Sequence, residues 1–370
     1  MEIGIFQLLP APETLSDQEV IEQALWEVDC AEAGGFGSVW ITEHHLSSFG
    51  LVGAPSVYAA AVAQRTRRVR IGYAIAVLPL HHPLRLAEEI AWVGHLSHGR
   101  LLVGVGPGFS PHEFGAFGVP LAERHARLEE GSTILRRALS GESFSYNGRF
   151  WNVPPVTLRP RPFQGCAPPF LRASSSVESL RQAARDGVPV MLGLCSTAEI
   201  AERIAVYREH AADLGRTPAE IDHLVAEFRV LRRVALAEGD ASNAGDDEAR
   251  AGALKALRWE ARTARRVHQA AGDGAGGGAK LADGSDPDDA HEIAGGCAGT
   301  PRTVLRELAA LRALGIRHVI AWLNFGDLPY AKVRRSMELL RDQVLPALAD
   351  EEVAPPARLA SAGRADRAGH

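Results

Sequence analysis

Cysteine is scarce. The four thiols, Cys30, Cys166, Cys195 and Cys297, stand far apart with no CxxC pair, so neither a zinc knuckle nor a dense disulfide framework is indicated. A run of about 18 apolar residues, the length a membrane-spanning helix needs, is absent. Basic charge is not in excess. Forty Lys plus Arg face forty-five Asp plus Glu, a net charge of −5, and the electrostatic footprint of a nucleic-acid or anionic-membrane binder is missing. The opening stretch MEIGIFQLLPAPETLSDQE has no basic n-region, so it is not expected to be a signal peptide. With free thiols, a cytoplasmic setting is expected. No internal repeat is present.

What remains is ordinary globular material, 46% hydrophobic and 23% charged. The 370 residues exceed the usual ~150 per domain, although α/β barrels hold ~250 or more in one. Short apolar runs alternate with helix-period segments, the mark of βαβ units. Strands are expected at Ile3 to Phe6, Ser38 to Thr42, Arg70 to Leu78, Leu101 to Val105, Phe170 to Ala173, Val188 to Leu192, Leu224 to Leu236 and His318 to Leu323. Eight strands suggest a closed (β/α)8 barrel of the TIM type. The rival, an open doubly wound sheet, normally carries GxGxxG after its first strand, where this chain has Gln7-Leu-Leu-Pro10. One barrel domain is expected over residues 1–350. The Gly/Asp-rich stretch about 272–290 reads as a mobile insertion before the last strand, either a lid over the mouth or a passive surface loop, and 351–370 reads as a disordered tail.

In a barrel the informative residues lie just past the strand C-termini. The second strand ends in Glu43-His44-His45. Such a group could bind metal, move protons or simply pack. Without HxH or HExxH geometry a metal is disfavoured, and acid/base or hydrogen-bonding work, with a neighbouring Glu fixing the tautomer, is favoured. The third strand ends in His81-His82-Pro83, aimed at the same rim. The fourth runs into Gly104-Val-Gly106-Pro107-Gly108, where glycines let amides approach an anion. After the fifth comes Ser174-Ser175-Ser176-Val177-Glu178-Ser179, either a helix cap or a phosphate seat. Trp40, Phe109, Phe150, Trp151 and Trp322 are candidates to line an apolar pocket, or ordinary core.

The run from Thr42 to Gly108, TEHHLSSFGLVG through LPLHHPLRLAEE to GVGPG, resembles the bacterial luciferase-like flavin monooxygenases. The likeness continues through the helix at Arg127 to Leu139, the serine-rich turn and Gly187-Val-Pro189, and resumes from Gly299-Thr-Pro301 to Leu345-Pro346. Glu43-His44-His45 with Phe49-Gly-Leu-Val-Gly53 is similar to the FMN-using branch, such as the alpha-type subunits of alkanal monooxygenase.

That resemblance implies reduced FMN bound at the barrel mouth, supplied by a separate NAD(P)H-dependent flavin reductase. It further implies O₂ as co-substrate through a C4a-hydroperoxyflavin. The oxygenated substrate would be a small molecule or a carrier-protein-bound one, in secondary metabolism, and the assembly a homodimer. By position His44 matches the catalytic histidine, with His45 and His82 its neighbours. Ser176 and Ser179 match phosphate contacts, with Ser175, Gly106, Gly108 and Phe109 beside them. Ala74-Ile75 matches a non-prolyl cis peptide beneath the flavin ring. Pro107 replaces an arginine many members carry, so the phosphate must rely on serines, on amides near Gly108 and Phe109, or on an arginine such as Arg172. Ser175 and Gly106 replace a carboxylate and a reactive cysteine of the aldehyde-oxidising enzyme, so light emission and aldehyde substrate do not carry over. Two alternatives are a deazaflavin-dependent hydride transferase on the same barrel and a non-catalytic flavoprotein partner subunit.

Overall fold

The computed structural model describes residues 1–174, 176–239, 244–270 and 296–349. Ser175, the 272–290 stretch and the 351–370 tail lie outside the described residues, as does any lid built from them. Eight parallel strands close into a ring: β1 (Glu2–Gln7), β2 (Ser38–Ile41), β3 (Arg70–Val77), β4 (Leu101–Gly106), β7 (Phe170–Ala173), β8 (Val190–Leu192), β9 (Arg229–Leu236) and β11 (His318–Trp322). Closure runs through two pairings, β8 on β9 (Met191 opposite Arg229) and β11 on β1 (Ile3 opposite Val319). The short β10 (Gly296–Gly299) adds to the C-terminal half of β9. A two-stranded hairpin, β5 (Phe144–Asn147) with β6 (Asn152–Val156), stands apart from the ring.

The expected strands are all present, with boundaries shifted by one or two residues and one larger correction at the start of β9. Leu224 to Ala226 belong to helix α8 (Pro218–Ala226), not to β9. Thr217 caps that helix reciprocally with Glu220 and Pro218 fills its first turn, a start signal stronger than the strand propensity of Leu224-Val225. Gly35 ends α1 (Asp17–Gly34) at φ 80°, where a side chain would be strained.

Strand alternation separates two apolar layers. Outward residues such as Ile5, Val39, Ile71 and Val103 meet the helices, while Phe6, Trp40, Leu102, Leu171, Met191, Ile320 and Trp322 fill the interior. Trp40 is fully buried, and Gly72 on β3 leaves the space its ring occupies. Below it the strand N-termini carry a charged plug. Arg70 donates to Glu2 at 2.5 Å, Arg229 pairs with Glu227 at 3.2 Å, and His318 stands 3.6 Å from both carboxylates. At the other end α9 (Ala244–Ala270) crosses the interior, with Ala253, Ala256 and Leu257 joining the interior cluster. Gly326 is needed there, because a side chain would strike the α9 backbone at Ala256.

A fully buried carboxyl lies between α1 and the ring. Glu27 accepts from the Gln7 amide at 2.6 Å and from the Asn324 amide at 2.9 Å, and burial pushes its pKa up to about 8 against those two bonds. A carboxyl raised in the folded state keeps its proton while the unfolded chain has lost its own. Stability should therefore fall as pH rises from about 4.5 to about 8 and level off above. Glu27→Gln is expected to flatten that slope, which approaches about 1.4 kcal/mol per pH unit for one group. Urea denaturation at pH 5.5, 7 and 8.5 checks it, and equal slopes in both proteins would remove Glu27 as the cause.

Candidate functional site

Residues 43–45 leave β2 at the C-terminal rim, and two different carboxylates hold the two histidines. The buried Glu43 carboxylate faces His45 Nε2 at 2.9 Å and His81 Nε2 at 2.7 Å, and accepts the Val77 amide at 2.8 Å. Burial alone would raise the Glu43 pKa; the bonds from His45, His81 and Val77 outweigh it and hold the group down to about 2. Burial likewise works to lower the His81 pKa, and the bond to Glu43 with its charge overrides it upward. These groups tie the end of β2 to the end of β3.

His44 belongs to a second pair. Its Nδ1 lies 3.0 Å from Glu113 Oε1, which also accepts the His45 backbone amide at 3.1 Å. Glu113 sits in the short helix α4 (Pro111–Ala116), begun by Ser110, whose hydroxyl accepts the Glu113 amide at 3.4 Å. A carboxylate on Nδ1 places the neutral ring's proton there and leaves Nε2 as the acceptor, the orientation a general base needs. The His44 ring packs edge-on against Phe49 at 4.8 Å and Phe109 at 6.0 Å. Phe49 in turn packs against the interior cluster, so His44 and the barrel interior share one apolar surround.

The structure brings His81 rather than His82 into this group. His82 is exposed and caps α3 (Pro83–Leu96), accepting the Leu84 amide at 3.3 Å. Adjacent residues diverge where the chain enters the helix, so only one imidazole can point inward. Ala74-Ile75 is a cis non-prolyl bond, as the resemblance implied. The register slips there, Tyr73 facing Val103 while Ala76 faces Val105. The extra residue accompanies two consecutive side chains, Ala74 and Ile75, packing toward the interior. Gly104 and Gly106 make room for it, since a side chain at either would collide with Ile75 or its neighbours. Gly106 thus has a packing reason that anion binding does not need. Gly108 has φ 68° and abuts Val77 and Phe114, which suits a tight turn beside Phe109.

The serine turn opens α6 (Val177–Asp186). Ser176 and Ser179 cap each other, the Ser179 amide donating to Ser176 Oγ at 3.2 Å and the Ser176 amide to Ser179 Oγ at 3.2 Å; the Ser174 hydroxyl joins Ser179 at 2.8 Å. Three hydroxyls and the first-turn amides, which have no acceptor within a helix, make a neutral donor set of the kind a phosphate takes. Glu178, in that first turn, is paired with Arg185 at 2.7 Å. Arg172 does not reach the seat. Leu171 faces the interior, so Arg172 faces the helices, bonded to Glu129. Phe150 and Trp151 also lie elsewhere, on the hairpin turn against Arg127; Trp40 and Trp322 do line the interior.

His44 and Ser176 follow β2 and β7, and only β3 and β4 stand between those strands in the ring. Imidazole, cis bond, glycine-lined strand and hydroxyls therefore occupy one consecutive arc of the rim. Sequence reasoning missed Glu113 and chose the wrong member of the His81-His82 pair. Ser110-Pro111-His-Glu113 is a legible helix start, but nothing local shows its acid reaching residue 44.

The site is thus a set of acid–base pairs and a donor-rich turn on one arc of an eight-stranded parallel barrel. The family model of luciferase-like monooxygenases matches residues 1–318, and the chain belongs to that family. It is 30% identical to an alkanal monooxygenase alpha chain of Photorhabdus luminescens, over 61% of this chain and 63% of that one. It is 31% identical to the oxygenase component of the flavin-dependent trigonelline monooxygenase of Acinetobacter baylyi, over 50% and 53%. The crystal structure of monooxygenase RslO1 from Streptomyces bottropensis aligns with a TM-score of 0.79 at 28% identity, covering 94% of this chain and 100% of that chain. The chain spans about half to two thirds of the length of the curated relatives it matches.

Proposed function

We propose that this protein is the oxygenase of a two-component system, inserting one atom of O₂ into a small or carrier-bound organic substrate with reduced FMN delivered by a separate flavin reductase. The observation that carries it is the His44–Glu113 pair on the same arc as the hydroxyl turn, beside an apolar interior; the relative described as an oxygenase component supports the separate reductase. The donor set fits FMN: the α6 N-terminus with Ser174, Ser176 and Ser179 would take the phosphate, and the ring would lie over Ala74-Ile75 against the interior side chains. Reduced flavin supplies the electrons that activate O₂.

The chain's own groups do the rest. Phe49 and Phe109 exclude water from His44, and Glu113 keeps its Nε2 free to take or return a proton at the reacting centre. Glu43 fixes His45 and His81 without titrating near neutrality. The protein is proposed to act as a homodimer in the cytoplasm; among the described residues no helix is long and apolar enough to cross a membrane. Product formed only with reduced FMN, O₂ and a reductase supports the assignment; anaerobic turnover with reduced deazaflavin would replace it with hydride transfer, and activity restored only by a partner chain would make the subunit non-catalytic.

The phosphate seat has its own check. Ser176→Ala should weaken FMN binding roughly 10- to 100-fold, the loss of one charge-assisted hydrogen bond, while leaving riboflavin binding unchanged. Fluorescence-quenching titrations measure both, and parallel losses for the two flavins would place the phosphate elsewhere.

A further inference from the structure

A pair of opposite charges stands among the apolar side chains of the barrel interior. On β9, Val230 and Val234 pack outward against the helices while Leu231 and Ala235 join the interior cluster, so alternation turns Arg233 inward as well. Its guanidinium lies over the ring of Trp322, its partner in register on β11, at 4.8 Å. The counter-charge comes from another element. Glu260 follows Ala253, Ala256 and Leu257 at helical spacing on α9, and its Oε1 accepts from Arg233 Nη2 at 2.7 Å. The two side chains are 5% and 1% exposed. Stability gives little reason for such a pair, because taking both charges out of water costs about as much as their attraction returns. A guanidinium cannot shed its charge on burial, so it needs an anion beside it wherever it lies. Arg233 is therefore an anion receptor fixed in the ring, and Glu260 an occupant brought by the helix that crosses the interior. Beside it Phe6 and Phe325 pack on Trp322 at 5.1 and 6.1 Å, a wall that suits an apolar or aromatic body. In the ring β9 stands opposite β3, four strands away in either direction, so this charged and aromatic wall faces the interior across from Ala74-Ile75.

On the footing of the flavin site proposed above, we infer that Arg233 binds a carboxylate of the organic substrate, which takes the place of the Glu260 carboxylate. The acceptor is then an apolar or aromatic acid, its body against Trp322 and its reacting end toward the Ala74-Ile75 side. An incoming carboxylate has the charge and the planar pair of oxygens of the group it displaces, so the guanidinium need not move to receive it. The two halves of the pair then respond in opposite ways to substitution. Glu260→Gln leaves a buried cation short of its counter-charge, which an acid restores. Arg233→Met with Glu260→Gln removes both charges and strands neither.

Isothermal titration calorimetry of the full-length protein, with and without saturating FMN, compares benzoate with benzamide and octanoate with octanamide. At least one acid should bind about tenfold or more tightly than its amide, since a bond to a charged partner is the stronger kind. Glu260→Gln should tighten acid binding by about tenfold more, as expected where a buried charge regains its partner, and leave amide binding unchanged. The double variant should bind acid and amide alike. Equal binding of acid and amide by the wild-type protein, or no binding of any of the four, overturns the anchor. So does Glu260→Gln that leaves acid binding unchanged or weakens it, the result a purely structural pair predicts. Failure to bind FMN alongside an intact preference for acids is a different result, striking the flavin assignment and leaving Arg233 as a carboxylate site.

Discussion

His44→Ala is expected to cut substrate oxygenation by about 10²- to 10⁴-fold, the usual worth of a positioned acid–base group, with FMN still bound. Electrons should then escape into free peroxide, because O₂ is consumed without the proton transfer that completes oxygen insertion. The carboxylate behind it sets a graded comparison. Glu113 Oε1 accepts both His44 Nδ1 and the His45 amide, so in Glu113→Gln the backbone amide pins the remaining oxygen in place. The His44 tautomer survives and the loss is smaller. Glu113→Leu frees the ring, and its loss should approach that of His44→Ala. Product yield per O₂ consumed checks the series; full coupling in His44→Ala would take the imidazole out of the chemistry.

Replacing Glu43 should strike stability hardest. Glu43→Gln removes the charge facing His81 and leaves one oxygen where two served His45, His81 and the Val77 amide, in a site closed to water, and a buried pair broken from one side costs about 3–5 kcal/mol. The sign of its pH dependence follows from the two shifts. Glu43, held down to about 2, stabilises the fold above about pH 4.5 and loses that contribution as pH falls toward 2. His81, held up by Glu43, stabilises fully below about pH 6.5, and that contribution fades as pH rises through its raised value. The gap between wild type and variant should thus be widest from about pH 4.5 to 6.5 and narrow on both sides. Denaturant titrations across pH 3 to 9 measure it, and a constant gap would show that packing rather than charge is lost.

The barrel was legible because its signal is local and recurrent: short apolar runs such as Ile3 to Phe6, alternating with helix-period segments. The ends of the strands were legible as chemistry-bearing, since a barrel aims them at one rim. What stayed hidden depends on side-chain direction. Nothing near His81-His82 shows which ring turns inward, because the helix cap formed by His82 decides it. Arg172 looked available until its strand neighbour Leu171 was seen to claim the interior. The glycines of β4 looked like an anion loop, yet a side chain at Gly106 would meet Ile75 and one at Gly104 the Tyr73 carbonyl, both far back in the chain. The 144–156 hairpin gave no recognised signal, its strands being short and the second carrying Pro154-Pro155.

The charged plug of Glu2, Arg70, Glu227, Arg229 and His318 beneath Trp40 makes the ring a blind vessel. Under the proposed function, flavin and organic substrate would have to load and leave past one another on a single side, so their order of arrival would be dictated by depth. Whichever binds deeper has to come first and depart last, and a variant that loosens the shallower occupant would speed turnover without touching the reacting atoms.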